Sequence, residues 1–174
     1  MKYKDAIKKS MKMLALDERI RFIGYNVKYG SRAYGTLKDI SFEKCIETPV
    51  AENLMGGLAI GMSLEGYKPV LFFERHDFLL NGLDSIINHL DKIEKMSLGE
   101  YKTPVIIKAI VGGINPLNPG MQHMQDYTKA IKSMVSFPVI DLIKVSEIIP
   151  TYEKALKMNS PIMIVEKRDL YESE

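Results

Sequence analysis

Residues 46–74 read IETPVAENLMGGLAIGMSLEGYKPVLFFE, and this segment decides the fold. The Thr48-Pro49 pair joins a residue that caps helices to one that favours their first turn, so a helix is predicted from there to about Leu64. Gly66 can end that helix, and the run from Lys68 to Glu74 has the continuous apolar character of a buried parallel strand. A helix that leads into such a strand is typical of α/β proteins.

Short apolar runs alternate with helical patterns along the rest of the chain. Strands are predicted over Ile20–Tyr25, Cys45–Glu47, Lys68–Glu74, Thr103–Val111, Phe137–Ile143 and Pro161–Val165. Further helices are predicted over Tyr3–Leu16, Phe78–Met96, Gln125–Met134 and Val145–Met158, and loops over Gly30–Gly35 and Gly112–Gly120. We therefore expect an α/β fold, an open, mostly parallel sheet with helices on both faces, which binds ligands at the carboxyl ends of its strands.

Length and composition indicate a globular chain, which we interpret as a single domain over residues 1–174. Its net charge of +2 comes from 24 basic and 22 acidic residues scattered along the chain, without the basic stripe that nucleic acid requires. Cys45 is the lone cysteine, the amino terminus lacks the apolar core of a signal peptide, and no apolar run reaches the roughly 20 residues that cross a bilayer. We expect a cytoplasmic protein.

Several common sites find no support in the sequence. Neither the Gly-x-Gly-x-x-Gly fingerprint of dinucleotide-binding proteins nor the P-loop pattern occurs. His76, His89 and His123 lie too far apart to form a local metal cluster, so no metal site is expected within this chain alone.

Three residues just beyond predicted strand ends are candidates for chemistry. Glu52 lies in the first turn of its predicted helix, where the helix dipole favours a carboxylate whatever its role, and it stands one residue late for a capping box with Thr48. Phe78 would ordinarily be a core aromatic. His123 is either a packed or surface imidazole, or a group that moves protons near neutral pH. The residues alone leave these alternatives open.

The segment Ile46–Gly61 resembles the Thr-Pro-Ile-x-Glu stretch and glycine-rich helix of one family. That family is the amino-terminal domain of the beta subunit of 2-oxoacid dehydrogenases, the pyrimidine-binding domain shared with transketolases. The similarity covers nearly the whole chain. Further matching motifs follow in the family's order at Gly66–Val70, Phe78, Asp84–Asn88, Gln122-His123 and Pro161–Glu166.

The resemblance implies the thiamine diphosphate-binding fold and a role for four residues. Glu52 falls on the family's cofactor-activating glutamate, and Phe78 falls where an aromatic ring stacks on the aminopyrimidine. Asn81 takes a position that is usually polar and close to that ring, and His123 matches a histidine on the substrate side. A carboxylate bonded to the pyrimidine N1′ favours the tautomer whose 4′-amino group removes the C2 proton. The thiazolium then serves as an electron sink.

The family binds diphosphate and Mg²⁺ through a Gly-Asp-Gly motif followed by Asn, and this sequence contains no such motif. The resemblance therefore implies a separate alpha-like chain that supplies the Mg²⁺ ligands, in a heterotetramer. We expect a subunit of a two-component enzyme that cleaves a 2-oxoacid or a ketose, with or without transfer of the acyl or ketol fragment.

Two departures from the family pattern favour an alternative. We expect the family's carboxyl-terminal domain to be absent, and Glu74–Asp77 is charged where the family is small and apolar. The alternative is a noncatalytic regulatory or scaffolding module that keeps the fold and the interface.

Overall fold

The computed structural model of the chain describes residues 1–114 and 118–174. Its centre is a sheet of six parallel strands in the order β2-β1-β3-β4-β6-β5. The strands are β1 (Ile20–Gly24), β2 (Cys45–Glu47), β3 (Lys68–Phe73), β4 (Ile106–Val111), β5 (Val139–Leu142) and β6 (Ile162–Lys167). The predicted open parallel sheet is confirmed, and each observed strand overlaps a predicted one.

Helices cover both faces of the sheet. They are α1 (Tyr3–Ala15), α2 (Glu52–Leu64), α3 (His76–Leu79), α4 (Ile93–Met96), α5 (Thr128–Met134) and α6 (Val145–Lys157). On β3, Val70 and Phe72 pack toward α1 and α6, while Leu71 and Phe73 pack toward α2 and α3. Because both faces are covered, the strand is buried along its whole length, which explains its continuous apolar sequence. Within the described residues, no helix has the length and apolar character to cross a membrane.

The predicted start of α2 at Thr48-Pro49 is wrong. The helix begins at Glu52, its N-cap residue is Ala51, and no side chain caps it. The Thr48 N–H instead donates to the Gly24 carbonyl at 3.0 Å, which extends the pairing of β2 with β1. A residue before proline also disfavours the helical region, so the chain stays extended there. The predicted end holds, because Gly66 follows the helix with a φ of +87°.

The long helix predicted from Phe78 to Met96 is divided into short pieces. A 3₁₀ turn at Leu80–Gly82 follows α3, and a π-helical segment at Asp84–Leu90 precedes α4. Two contacts of Ser85 accompany the break: its N–H donates to Asn53 Oδ1 of α2 at 3.1 Å, and its hydroxyl donates to the Gly82 carbonyl at 2.8 Å. Such insertions into the backbone ladder break regular helices.

One more predicted boundary shifts. The helix predicted from Gln125 begins only at Thr128, after a segment in which the N–H groups of Gln125 and Tyr127 donate to the side chains of Asp77 and His76 in α3. The predicted loop at Gly112–Gly120 is seen at its two ends, and residues 115–117 lie outside the described residues.

Candidate functional site

Glu52 is buried at the carboxyl edge of the sheet. As the first residue of α2, it is only 4% exposed, and its Oε1 has no hydrogen-bond partner among the described residues. Leaving a buried acceptor unsatisfied costs about 1–3 kcal/mol, and more for a charged group. The positive end of the helix dipole offsets only part of that cost. Glu52 is therefore a buried carboxylate with one oxygen that no described residue satisfies.

Phe78 lies between two other aromatic rings at the same edge. The segment that follows β3 carries it, and its ring is half-buried. Its centroid lies 6.2 Å from that of Tyr25, with the rings tilted by 57°. The His123 ring lies 5.2 Å away on an edge-to-face contact with an interplanar angle of 88°. Phe78 therefore joins the end of β1 to the loop beyond β4.

Tyr25 is a residue of this site that sequence reasoning missed. Its hydroxyl is buried and has no hydrogen-bond partner among residues 1–114 and 118–174. Burial raises the pKa of the Tyr25 phenol well above its usual value, and the carboxylates of Glu74 and Glu52 raise it further. The phenol is therefore a neutral donor beside a carboxylate. Its place at the end of the first predicted strand was the available signal, because ligands gather at such ends.

His123 ends a short 3₁₀ turn over Met121–His123. Its Nδ1 is buried and unpaired within the part of the chain that the structure describes. Arg75 holds the backbone at this position, because its Nη1 donates to the carbonyl oxygens of Gly112 at 2.8 Å and of His123 at 3.2 Å. The imidazole is therefore placed by contacts on both its ring and its main chain.

Asn81 is the most exposed of the four predicted site residues. It is exposed in the Leu80–Gly82 turn, and its side chain makes no hydrogen bond to any described residue. The turn itself lies against the start of α2, because a Cβ added to Gly82 would be 3.3 Å from the Glu52 carbonyl oxygen. Of the four predicted site residues, Phe78 and His123 are in contact, Glu52 lies at the same edge of the sheet, and Asn81 is exposed.

Glu47, at the end of β2, binds the backbone just beyond β1. Its carboxylate accepts the backbone N–H groups of the four residues that follow Tyr25, at 2.6–3.3 Å. This cradle fixes the chain just beyond β1 and thereby the ring of Tyr25. No group of three or more His, Cys, Asp or Glu side chains that could hold a metal ion occurs within the described residues.

The outer side of α2 is apolar and uncovered. Leu54 is 57% exposed and Leu58 is 36% exposed. A Cβ added to Gly57 or Gly61 would meet no atom within 4 Å, whereas one added to Gly56 would overlap Ser85. Gly56 therefore lets α2 pack closely against the segment that carries Ser85. The other two glycines lie on a free surface.

Fold and site together define a parallel α/β domain with a buried carboxylate at the carboxyl ends of its strands, one oxygen of which no described residue bonds. The family model for the transketolase pyrimidine binding domain matches residues 1–174, and the chain belongs to that family. The resemblance predicted from the motifs is confirmed.

Known proteins similar to the chain include beta subunits of pyruvate dehydrogenase E1. The one from Rickettsia conorii is 26% identical over 159 residues, which are 89% of this chain and 48% of that protein. The mitochondrial beta subunit from Saccharomyces cerevisiae is 26% identical over 176 residues, which cover 98% of this chain and 48% of that protein. The chain therefore spans about half the length of these relatives.

A solved structure described as "Split gene transketolase, inactive beta4 tetramer" has the same fold. It superposes with a TM-score of 0.70 at 18% sequence identity, and the superposed region covers 95% of this chain and 49% of the transketolase chain. At this identity the likeness concerns the fold alone.

Proposed function

We propose that the chain is the pyrimidine-binding subunit of a two-component thiamine diphosphate-dependent enzyme that cleaves a 2-oxoacid or a ketose. The fragment released is either transferred as an acyl or ketol group or set free. The observation that carries this proposal is the buried Oε1 of Glu52, which has no partner among the described residues. The family membership and the beta-subunit relatives support it.

The side chains present suit an aminopyrimidine. The unpaired Glu52 Oε1 can accept a hydrogen bond from a ring nitrogen that carries a proton, and the exposed part of the Phe78 ring offers a face for stacking. When bound, thiamine diphosphate supplies a nucleophilic carbon and an electron sink for cleavage beside a carbonyl. Glu52 would share the proton at N1′ of the ring, and its burial makes such sharing favourable because a lone buried charge is costly.

His123 would act on the substrate side. Its Nδ1, which no described residue bonds, would exchange a proton with the substrate while the contact with Phe78 keeps the ring in place. Phe78 would orient the pyrimidine, because proton transfer within a bound molecule depends on close geometry. Asn81, exposed in the Leu80–Gly82 turn, would offer a polar side chain close to the ring.

A separate diphosphate-binding subunit would complete the enzyme. The sequence has no Gly-Asp-Gly motif for Mg²⁺ and diphosphate, so the metal ligands would come from that partner. The uncovered apolar side of α2, with Gly57 and Gly61, offers a surface on which another subunit can pack closely. Two copies of each chain would form the active heterotetramer in the cytoplasm.

The test is Glu52→Gln in a complex reconstituted with a chain that carries Gly-Asp-Gly followed by Asn. Turnover with thiamine diphosphate and Mg²⁺ is measured on a panel of 2-oxoacids and sugar phosphates, and assembly is measured by analytical ultracentrifugation. We expect turnover to fall by about a hundredfold or more with assembly unchanged, since a group that exchanges protons contributes on this scale. Glu65→Gln, at the exposed other end of α2, is the matched control.

Two results would count against the proposal. Unchanged turnover of the Glu52→Gln complex would remove the role of that carboxylate. A wild-type complex that assembles but turns over no member of the panel would favour the noncatalytic scaffolding module instead.

A further inference from the structure

Arg75, His76 and Asp77, which follow β3, bind the backbone of the loop that begins at His123, and we call these three contacts the grip. Three consecutive side chains each bond the backbone of one alternate residue of the 123–127 segment. Arg75 Nη1 donates to the carbonyl of His123 at 3.2 Å. Asp77 Oδ1 accepts the N–H of Gln125 at 3.4 Å, the longest of the three, and His76 Nδ1 accepts the N–H of Tyr127 at 3.2 Å.

His76 is the buried centre of this grip. It is 0% exposed, and its ring makes an edge contact with Tyr127 at a centroid distance of 6.1 Å. Because Nδ1 accepts a hydrogen bond, the proton of the neutral ring must sit on Nε2. That Nε2 is buried without a partner among the described residues, so the position is costly to maintain. A buried polar group kept at a cost points to a role beyond filling space.

The far end of the segment is anchored separately. Asp126 accepts from Lys167 Nζ at 2.7 Å and from the Thr128 N–H at 2.9 Å. Residues 124–127 belong to no helix or strand, so their course depends on these side-chain contacts. His123, which opens the segment, can keep its edge contact with Phe78 only while that course is fixed.

We propose that Arg75, His76 and Asp77 are positioning residues that hold the His123 imidazole against Phe78 by binding the backbone of residues 123–127. The inference rests on the proposed function only in giving His123 a place on the substrate side. It also gives a structural reason for three of the four charged residues where the family resemblance leads one to expect small apolar ones, because Arg75, His76 and Asp77 bond the loop backbone.

The grip has a pH dependence of its own. Burial lowers the pKa of His76, while the carboxylate of Asp126, 3.6 Å from Nδ1, raises it. Asp77 and Asp141 also favour the charged ring, and Lys167 opposes it. Protonation of Nδ1 removes the acceptor for the Tyr127 N–H, so the hydrogen bond is present above the ordinary histidine pKa of about 6.5 and is lost as the pH falls through the lower value in the folded chain.

Hydrogen exchange on the full chain tests the grip without any cofactor. For His76→Leu we expect the protection factor of the Tyr127 amide to fall by about tenfold, the scale of one lost hydrogen bond. His76→Asn should restore the protection of the Tyr127 amide, because its Oδ1 can replace Nδ1 as acceptor. In this variant the protection should also persist at low pH. His89→Leu, the same change at an exposed histidine, is the control and should leave it unchanged. Equal protection in wild type and His76→Leu would overturn the inference.

Kinetics of the reconstituted complex test the consequence for His123. If His76→Leu folds poorly, the pair Asp77→Ala and Asp77→Asn serves instead, because only the asparagine keeps an acceptor for the Gln125 N–H. We expect kcat to fall about tenfold in the variants that lose an acceptor, with KM for thiamine diphosphate within about twofold, since a misplaced group loses rate. Rescue by Asp77→Asn supports positioning.

The two proposals fail in different ways. Loss of amide protection with unchanged kcat would refute the positioning of His123 while the Glu52 result stands. Unchanged turnover in Glu52→Gln would refute the proposed function and leave the exchange result intact.

Discussion

Replacing Gly56 by alanine tests the contact that fixes α2 and, through it, Glu52. An added Cβ would overlap Ser85 Oγ and lie 2.6 Å from Ser85 Cβ. The hydroxyl cannot simply turn away, because it donates to the Gly82 carbonyl at 2.8 Å. Gly82 in turn packs on the Glu52 backbone, so relief of the overlap must move the segment that borders the site.

The magnitude follows from two opposing effects. Overpacking a filled site costs about 1–3 kcal/mol, and an overlap that involves both the Cβ and the hydroxyl of Ser85 places Gly56→Ala in the upper half of that range. Alanine is favoured over glycine inside a helix by about 1 kcal/mol. We expect a net loss of about 1–2 kcal/mol in the free energy of unfolding. For a chain of this length that lowers Tm by about 3–6 °C.

Gly57 is the matched control, because it lies on the same helix with no atom near its added Cβ. Gly57→Ala should raise the free energy of unfolding by about 1 kcal/mol. Urea and thermal unfolding of both variants measure the difference. A double-mutant cycle of Gly56→Ala with Ser85→Gly should give a coupling of about 1 kcal/mol or more. The reasoning is refuted if Gly56→Ala is as stable as Gly57→Ala, or if the cycle shows no coupling.

Three other expectations concern the site, the core and acid stability. Phe78→Ala should weaken binding of thiamine diphosphate to the reconstituted complex, measured by titration calorimetry, and normal affinity would argue against stacking. Lys108→Met should lower the free energy of unfolding by about 3–5 kcal/mol, measured by chemical denaturation, because it leaves the buried Glu166 without the cation 2.7 Å away. The double variant Lys108→Met with Glu166→Gln should lose less, because no unpaired charge is left buried. Burial raises the pKa of Asp126, but the hydrogen bond from Lys167 outweighs it, and the pKa is lowered to about 2. The contribution of Asp126 to the free energy of unfolding is therefore fully present above the ordinary carboxyl pKa of about 4 and is lost as the pH falls toward 2. Asp126→Asn should therefore flatten the acid limb of the stability curve, and an unchanged limb would contradict this.

Patterns local to the chain predicted the layers of the fold. The run Lys68–Glu74 is apolar at nearly every position because both faces of β3 are covered, and such a run is visible without any knowledge of what covers it. The boundary at Thr48 was missed because its N–H is taken by Gly24, a residue on another strand. The helix predicted from Phe78 was broken by the contact of Ser85 with α2, which no spacing in residues 78–96 records.

The chemistry of the site shows the same division. Glu52, Phe78, Asn81 and His123 were singled out by motif resemblance, and their roles remain predictions. That Glu52 is buried with an unpaired oxygen is a property of the packed structure. Tyr25 was missed because an aromatic residue is ordinary in a strand, although its place at the end of the predicted strand Ile20–Tyr25 was a signal.

The order of residues was sufficient to establish an alternating parallel α/β chain and its family, because periodicity, turn residues and motifs are local and survive without packing. Tertiary structure alone decided which side chains meet. The contacts of Arg75 and His76 with His123 and Tyr127 join residues 48 and 51 positions apart, and only the common edge of the parallel strands brings them within hydrogen-bond distance.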